Sequence, residues 1–351
     1  MLASYIVMLG GEQALLALGL VLSFYMAYSL GANDAATPTD CAVGAGVLSI
    51  KRAVALFAVF STLGALTHGY MVIKTIGKGI VPEVDVIGCL TTTLAACLWV
   101  TFCSRRGLDI SITYSVVGSV LGYGLLKYGA KGTNLGVLTK IFLSWAASPL
   151  CSLLVAYFIY RVTAKVLRPY AYDKRVKRLV ALLLVGSLCF SAYSFGANDV
   201  ANATGVYLSV AEKLGRVPSS SAMFMLALLG SLGIALGGLT LGPKVIDTVA
   251  YRITRLDIVM GFAAELSNAL VVFLFTVLPY SLFGYGLPIS TSVASNGSII
   301  GVGIAAHGLR SINKRTVSKL VSAWILTIPC TMALSGALYL AVQVLLSTIC
   351  V

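Results

Sequence analysis

The residues from Ala27 to Ala36 return from Ala192 to Ala201, offset by 165, with eight of the ten positions identical. Both copies carry a Gly-Ala-Asn-Asp core, Gly31 to Asp34 and Gly196 to Asp199, inside runs otherwise as apolar as a membrane span. A carboxylate within such a run is expensive in a bilayer and faces a bundle interior or a watered cavity. Interhelical hydrogen bonding would account for one Asn-Asp pair. A duplicated pair with flanking glycines points instead to two copies of one membrane unit that turn the same polar face toward a shared centre.

Composition agrees with a polytopic membrane protein. Apolar residues make up 58% of the 351 and charged residues 11%, whereas soluble domains carry about 25% charged residues. At roughly 20 apolar residues per helical span, the length allows about ten to twelve spans. The net charge of +13 is spread over short clusters between apolar runs, a topology pattern and not a nucleic-acid surface. The eight cysteines stand without the paired spacing of a metal or disulfide framework and read as small apolar packing residues. No basic stretch precedes the first apolar run, so a cleaved signal peptide is not expected.

The run from Ala14 to Ile50 would overshoot a roughly 30 Å bilayer core as one straight helix. Gly31 and the Thr37-Pro38 pair are where it can break, and broken membrane helices are where transporters bind ions and substrates. Apolar segments near 53–73, 86–103, 107–126 and 141–160 complete a first half. The pattern restarts with 179–210, around the second Asn-Asp pair, and continues through 219–242, 256–278, 286–305 and 320–348. Five crossings per half invert the second copy relative to the first. Placing the N-terminus outside then puts most of the 25 Lys and Arg in cytoplasmic linkers, the bias of the positive-inside rule. The expectation is an all-α polytopic membrane protein of two inverted-topology repeats, residues 1–160 and 179–351. A basic cytoplasmic linker, 161–178, joins them, and broken or re-entrant helices surround a midplane site.

A second element is also duplicated: Gly107 to Gly124 matches Gly286 to Gly303 at an offset of 179, which aligns Trp145 with Trp324 as well. Each copy opens on Gly-Leu, places a serine four residues on (Ser111, Ser290) and continues into a Gly-x3-Gly-x-Gly helix. The glycine spacing is a close-packing signal. The clustered hydroxyls suggest helices that start within the membrane with free N–H groups and a positive dipole end, which is an anion site in outline.

Ser111 and Thr113 on one side and Ser290, Thr291 and Ser292 on the other offer donors without a positive side chain. An oxyanion beside Asp34 and Asp199 requires a cation or proton between them, so the constellation predicts cation-coupled anion transport. Phosphate keeps a proton that a carboxylate can accept, whereas sulfate only accepts, and a buried unpaired group discriminates strongly. Phosphate is therefore the favoured anion. A sulfate permease, an H⁺-coupled phosphate symporter and an anion channel are the alternatives, and rings of pore charges for a channel are absent from the pattern. No nucleophile and base pair suggests an enzyme.

Gly-Ala-Asn-Asp in both halves, extended as Gly-Ala-Asn-Asp-Val-Ala-Asn-Ala from Gly196 to Ala203, resembles the inorganic phosphate transporter (PiT) family. The segment Gly286 to Ser292 is similar to that family's Gly-x-Pro-Val-Ser-Thr-Thr-His stretch, and Ala263 to Leu266 to the residues ahead of it. The resemblance spans essentially the whole chain. It implies a cell-membrane symporter coupled to Na⁺, sometimes to H⁺, with both termini outside and a homodimer as assembly. It points to Asn33, Asp34, Asn198 and Asp199 for Na⁺ and phosphate, and to Ser111, Thr113, Ser290, Thr291 and Ser292 as phosphate donors. This sequence has Asp109 where the family has Pro, Ile112 where it has Thr, and Tyr114 and Val293 where it has His.

Other polar residues have plainer readings. Asp109 either binds a proton or cation or faces the cytoplasm beside Arg105 and Arg106. Glu265 lies inside a span and needs a partner, with Asn268 at i+3 the nearest in sequence. His68 reads as a satisfied polar contact and His307 as solvated. Asn202 and Asn296 fit the glycosylation pattern but sit in apolar settings.

Overall fold

The computed structural model describes residues 11–68, 80–170, 172–215, 219–283 and 289–349. Among these residues every regular element is helical. The first half contains α1 (Glu12–Asp34), α2 (Ala36–Gly44), α3 (Ile50–His68), α4 (Val86–Arg105), α5 (Ile112–Tyr128) and α6 (Leu135–Leu167). The second contains α7 (Lys174–Lys213), α8 (Ser220–Thr240), α9 (Gly242–Arg252), α10 (Ile258–Phe283), α11 (Thr291–His307) and α12 (Lys314–Ile349). Seven helices among the described residues are long and apolar enough to cross a membrane, or eight if α8 and α9, bent by 61°, form one span.

That is fewer full spans than the ten crossings expected, and α5 and α11 account for part of the difference. Each has 17 residues. The residues just before them are not helical, so each helix begins inside the protein, at Ser111 and Ser290. The basic run 161–178 lies on the end of α6, a short turn and the start of α7, where the Asp173 carboxylate accepts the Arg175 N–H at 2.7 Å.

The Asn-Asp runs were both expected to break, and only the first does. α1 ends at Asp34 and α2 resumes at Ala36, whereas α7 passes unbroken through Asn198 and Asp199. Pro38 explains the asymmetry: it has no N–H for the Asp34 carbonyl four residues back, and its ring crowds that carbonyl. The aligned position is Ala203, which imposes no such break. Gly31 also has a different task from the one expected. It is a packing position, where a Cβ would overlap the Ile234 backbone on α8.

The repeat is visible in how helices pair. α1 packs on α8 and α3 on α7; α5 packs on α12 and α11 on α6. At the first pair of seams, Gly31 and Gly237 meet the backbones of Ile234 and Tyr28, while Gly196 and Gly64 meet those of Ser61 and Tyr193. At the second, Gly118 and Gly122 lie against Ile328 and Met332, and Gly297 and Gly301 against Pro149 and Leu153. Backbones this close gain dispersion contact that a larger residue would prevent. Each seam joins an element of one half to an element of the other.

Helix starts repeat as well. Asp85 and Asp257 cap α4 and α10 by accepting the N–H of Gly88 at 2.6 Å and of Met260 at 2.8 Å. Asn134 and Asn313 cap α6 and α12 in the same manner. Such caps satisfy the orphan donors of a helix N-terminus and contribute about 1 kcal/mol each.

Candidate anion and cation site

The starts of α5 and α11 meet in the interior, where the Thr113 hydroxyl donates to the Ile289 carbonyl at 3.4 Å. Ser111 and Ser290 are the caps of these helices and accept the N–H groups of Tyr114 at 3.2 Å and Val293 at 3.3 Å. The next hydroxyls along α11 serve the aspartates. Ser292 Oγ donates to Asp34 Oδ1 at 3.0 Å, and the Thr37 hydroxyl donates to Ser292 Oγ at 3.4 Å. Thr291 stands beside Asp199. The first turn of α11 thus lies between the carboxylates of the two duplicated motifs.

Asp109 belongs to the same interior. It is buried, its Oδ2 accepts the Asn296 amide at 2.5 Å, and its carbonyl accepts the Trp324 indole N–H at 2.9 Å. A cytoplasmic position beside Arg105 and Arg106 is therefore excluded. Asp34 stands close enough to both Asp199 and Asp109 for the charges to act on one another. None of Asp34, Asp109, Asp199, Ser111, Thr113, Ser290, Thr291 and Ser292 is more than 4% exposed, so the site is closed to solvent in this structure. Among the described residues, no Lys, Arg or His is buried with them.

The two asparagines are placed apart from the hydroxyls. Asn33 Nδ2 donates to Ser104 Oγ and to the Leu108 carbonyl, both at 2.9 Å, and its Oδ1 accepts the Ile110 N–H at 2.9 Å. It fastens the non-helical lead-in of α5 to α4. Asn198 Nδ2 donates to Thr276 Oγ1 of α10 at 3.0 Å, the counterpart contact in the second half. Sequence reasoning assigned both amides to ligands and did not foresee these internal partners, which lie more than seventy positions along the chain.

Of the positions that depart from the family pattern, Ile112, Tyr114 and Val293 face apolar surroundings. Ile112 lies in a cluster with Met26, Phe57, Ala96 and Ile234. Tyr114 stacks on Trp145 with ring centroids 3.8 Å apart, in a cluster that also holds Val293. Asn296 is 1% exposed and so inaccessible to glycosylation, while Pro288 lies outside the described residues. His68 bonds Thr67 and the Tyr193 hydroxyl, as a satisfied polar contact should, and His307 is exposed. The proposed pairing of Glu265 with Asn268 is absent: the Asn268 amide donates to Ser191 Oγ at 3.1 Å, and neither Glu265 oxygen makes a hydrogen bond of ordinary geometry.

Helix starts that meet inside a bundle of long apolar helices, beside buried carboxylates, mark a polytopic membrane protein of the transporter class. The comparisons with known proteins make the class particular. The phosphate transporter family profile matches residues 30–335. A candidate phosphate permease of Pyrococcus furiosus is 30% identical, with 95% of this chain and 97% of that protein covered. The chloroplastic inorganic phosphate transporter 2-1 of Arabidopsis thaliana is 28% identical over 88% of this chain and 69% of its own length. A solved structure described as the sodium-dependent phosphate transporter matches with a TM-score of 0.82 and 29% identity, covering 94% of this chain and 99% of that one. The chain belongs to the phosphate transporter family.

Proposed function

We propose that the protein is a Na⁺-coupled symporter of inorganic phosphate that works by alternating access of two inverted halves. The observation that carries this reading is the burial of Asp34 and Asp199 against the hydroxyl-rich start of α11, with no basic side chain buried beside them among the described residues. Carboxylates and an oxyanion share a dry chamber only with cations between them, because uncompensated buried charge costs several kcal/mol per ion. Na⁺ takes hard oxygen ligands, and Asp34 and Asp199 supply them. The freed N–H groups at the starts of α5 and α11, with Thr113, Thr291 and Ser292, receive the phosphate oxygens. Ser111 and Ser290 hold those helix starts in shape, Asn33 positions the start of α5, and Asn198 ties α7 to α10 beside the chamber.

The same arrangement supports phosphate over sulfate. Three of the positions that differ from the family pattern, Ile112, Tyr114 and Val293, pack in apolar clusters, and the fourth, Asp109, adds a carboxylate to the chamber. The carboxylates that would accept a proton from phosphate stay in the chamber. The Na⁺ reading draws on the sodium dependence stated for the matched structure. A sealed site with polar linings on both flanking helix starts is what alternating access requires in its closed state. With the termini outside, the basic end of α6 and start of α7 face the cytoplasm.

The test is uptake of labelled phosphate into proteoliposomes under an imposed Na⁺ gradient, with a pH gradient and excess unlabelled sulfate in parallel. Uptake that needs Na⁺ and ignores sulfate is expected. Uptake driven by the pH gradient alone would move the aspartates from sodium binding to proton carriage, and transport of labelled sulfate in place of phosphate would overturn the substrate.

A further inference from the structure

A second group of buried acids lies beyond the break in the first Asn-Asp run, and the transport reading does not use it. Asp40 and Cys41 on α2 and Glu265 on α10 place one ligand atom each so that all three lie within 4.8 Å of one another. Asp40 is fully buried; its Oδ2 accepts the Ser295 hydroxyl at 3.0 Å and its Oδ1 has no hydrogen-bond partner. Glu265 is 1% exposed; its oxygens face the Ser191 hydroxyl and the Cys41 thiol, and neither makes a hydrogen bond of ordinary geometry. One turn further along α10, the buried Asn268 Oδ1 is also unpaired. The surroundings are apolar: Cys41, Ala42, Leu184, Met260, Ala263 and Ala264 belong to one packed cluster.

Ionised carboxylates buried without well-formed hydrogen bonds are among the most costly groups in a protein interior, and they are offset either by taking up a proton or by binding a cation. Two carboxylates and a thiol make a donor set of mixed hardness. Na⁺ does not select sulfur, whereas a divalent ion of borderline softness takes both oxygen and thiolate and offsets two of the three negative charges that two carboxylates and a thiolate bring. Ligands at about 2.0–2.3 Å from a shared Zn²⁺ stand roughly 3.3–3.8 Å apart in a tetrahedral site. The three ligand atoms, within 4.8 Å of one another, are close enough for side-chain rotation to bring them to that spacing.

We propose that Asp40, Cys41 and Glu265 form a binding site for a divalent transition-metal ion of the zinc class, distinct from the phosphate chamber. Cys41 binds as the thiolate, its proton passing to solvent as the metal enters. The site also reaches α11, because Ser295 bonds both Asp40 and the Thr37 carbonyl.

The test uses the full-length protein purified in detergent and titrated with Co²⁺, whose thiolate complexes absorb in the near ultraviolet by charge transfer. One equivalent bound with that band is expected, displaced by Zn²⁺ and not by Na⁺. Cys41→Ser should abolish the band, Cys89→Ser should leave it, and Glu265→Gln should weaken Co²⁺ binding at least tenfold, with labelled-phosphate binding retained in each. No stoichiometric binding, a band that survives Cys41→Ser, or displacement by Na⁺ as effective as by Zn²⁺ would each overturn the proposal. Should Glu265→Gln fail to fold, zinc-edge X-ray absorption of the unaltered protein decides: a sulfur neighbour with oxygen ligands upholds the site, and a shell without sulfur refutes it.

Discussion

Asn33→Ala tests whether the duplicated asparagine positions the site or binds within it. The substitution removes three hydrogen bonds of 2.9 Å at once. Ser104 is spared, because its hydroxyl also donates to the Val100 carbonyl at 2.9 Å. The Leu108 carbonyl and the Ile110 N–H lose their Asn33 partner in a buried corner, each at about 1–3 kcal/mol. Water entering the vacated volume returns part of this, so the expected loss of stability is about 2–4 kcal/mol. Asn33→Asp keeps an acceptor for Ile110 but sets a second acceptor against the Leu108 carbonyl, and should be destabilised as well. Unfolding in detergent, followed in parallel with Na⁺ and phosphate affinity, reads the result. A lowered unfolding temperature together with weakened phosphate binding is expected, because the start of α5 loses its anchor. An Asn33→Ala protein that unfolds like the parent yet no longer binds Na⁺ would refute the reasoning and place the amide on the ion.

Three further outcomes follow from the same structure. Asp199→Asn should abolish Na⁺-driven phosphate uptake while leaving the protein in the membrane; normal uptake would remove the central argument for a carboxylate cation ligand. Gly122→Ala places a methyl group against the Met332 backbone and should cost about 1–3 kcal/mol by overpacking, measured as a lowered unfolding temperature with reduced yield of folded protein. At the surface, the Lys213 ammonium holds the Glu83 carboxyl below its ordinary value of 4.5. A lowered carboxyl pKa stabilises the fold above the unfolded value and loses that contribution as pH falls through the folded one. Unfolding temperatures of the parent and Glu83→Gln should therefore differ slightly near neutral pH and converge in acid.

The sequence made much of the site legible because the site is duplicated. Repetition singled out Asp34 and Asp199, and the serine-rich helix starts announced themselves through Gly-Leu and clustered hydroxyls. Pro38 carried the information that only the first run breaks, since its partner Ala203 has an N–H, but the likeness of the two motifs outweighed that single difference. The partners of Asn33 and Asn198 were not legible, because nothing in local pattern says that Ser104 or Thr276 will stand opposite. Asp109 followed two arginines and so read equally well as a cytoplasmic residue; burial against Asn296 settles it. Asp40, Cys41 and Glu265 were hidden for a similar reason. Metal spacing is recognised along a chain, and these three meet only when α10 closes on α2.

The glycine seams also govern how the protein is made. α1 fits against α8, α3 against α7, α5 against α12 and α6 against α11, so these four helices of the first half wait for partners that the ribosome has yet to synthesise. When α6 has just entered the bilayer, the grooves at Gly31, Gly64, Gly118 and Gly122 face lipid or transient neighbours. The halves cannot mature one after the other as beads on a string. Late assembly is then expected: a truncated first half should stay an open, protease-sensitive intermediate until the second half, supplied in the same membrane even as a separate polypeptide, clasps it.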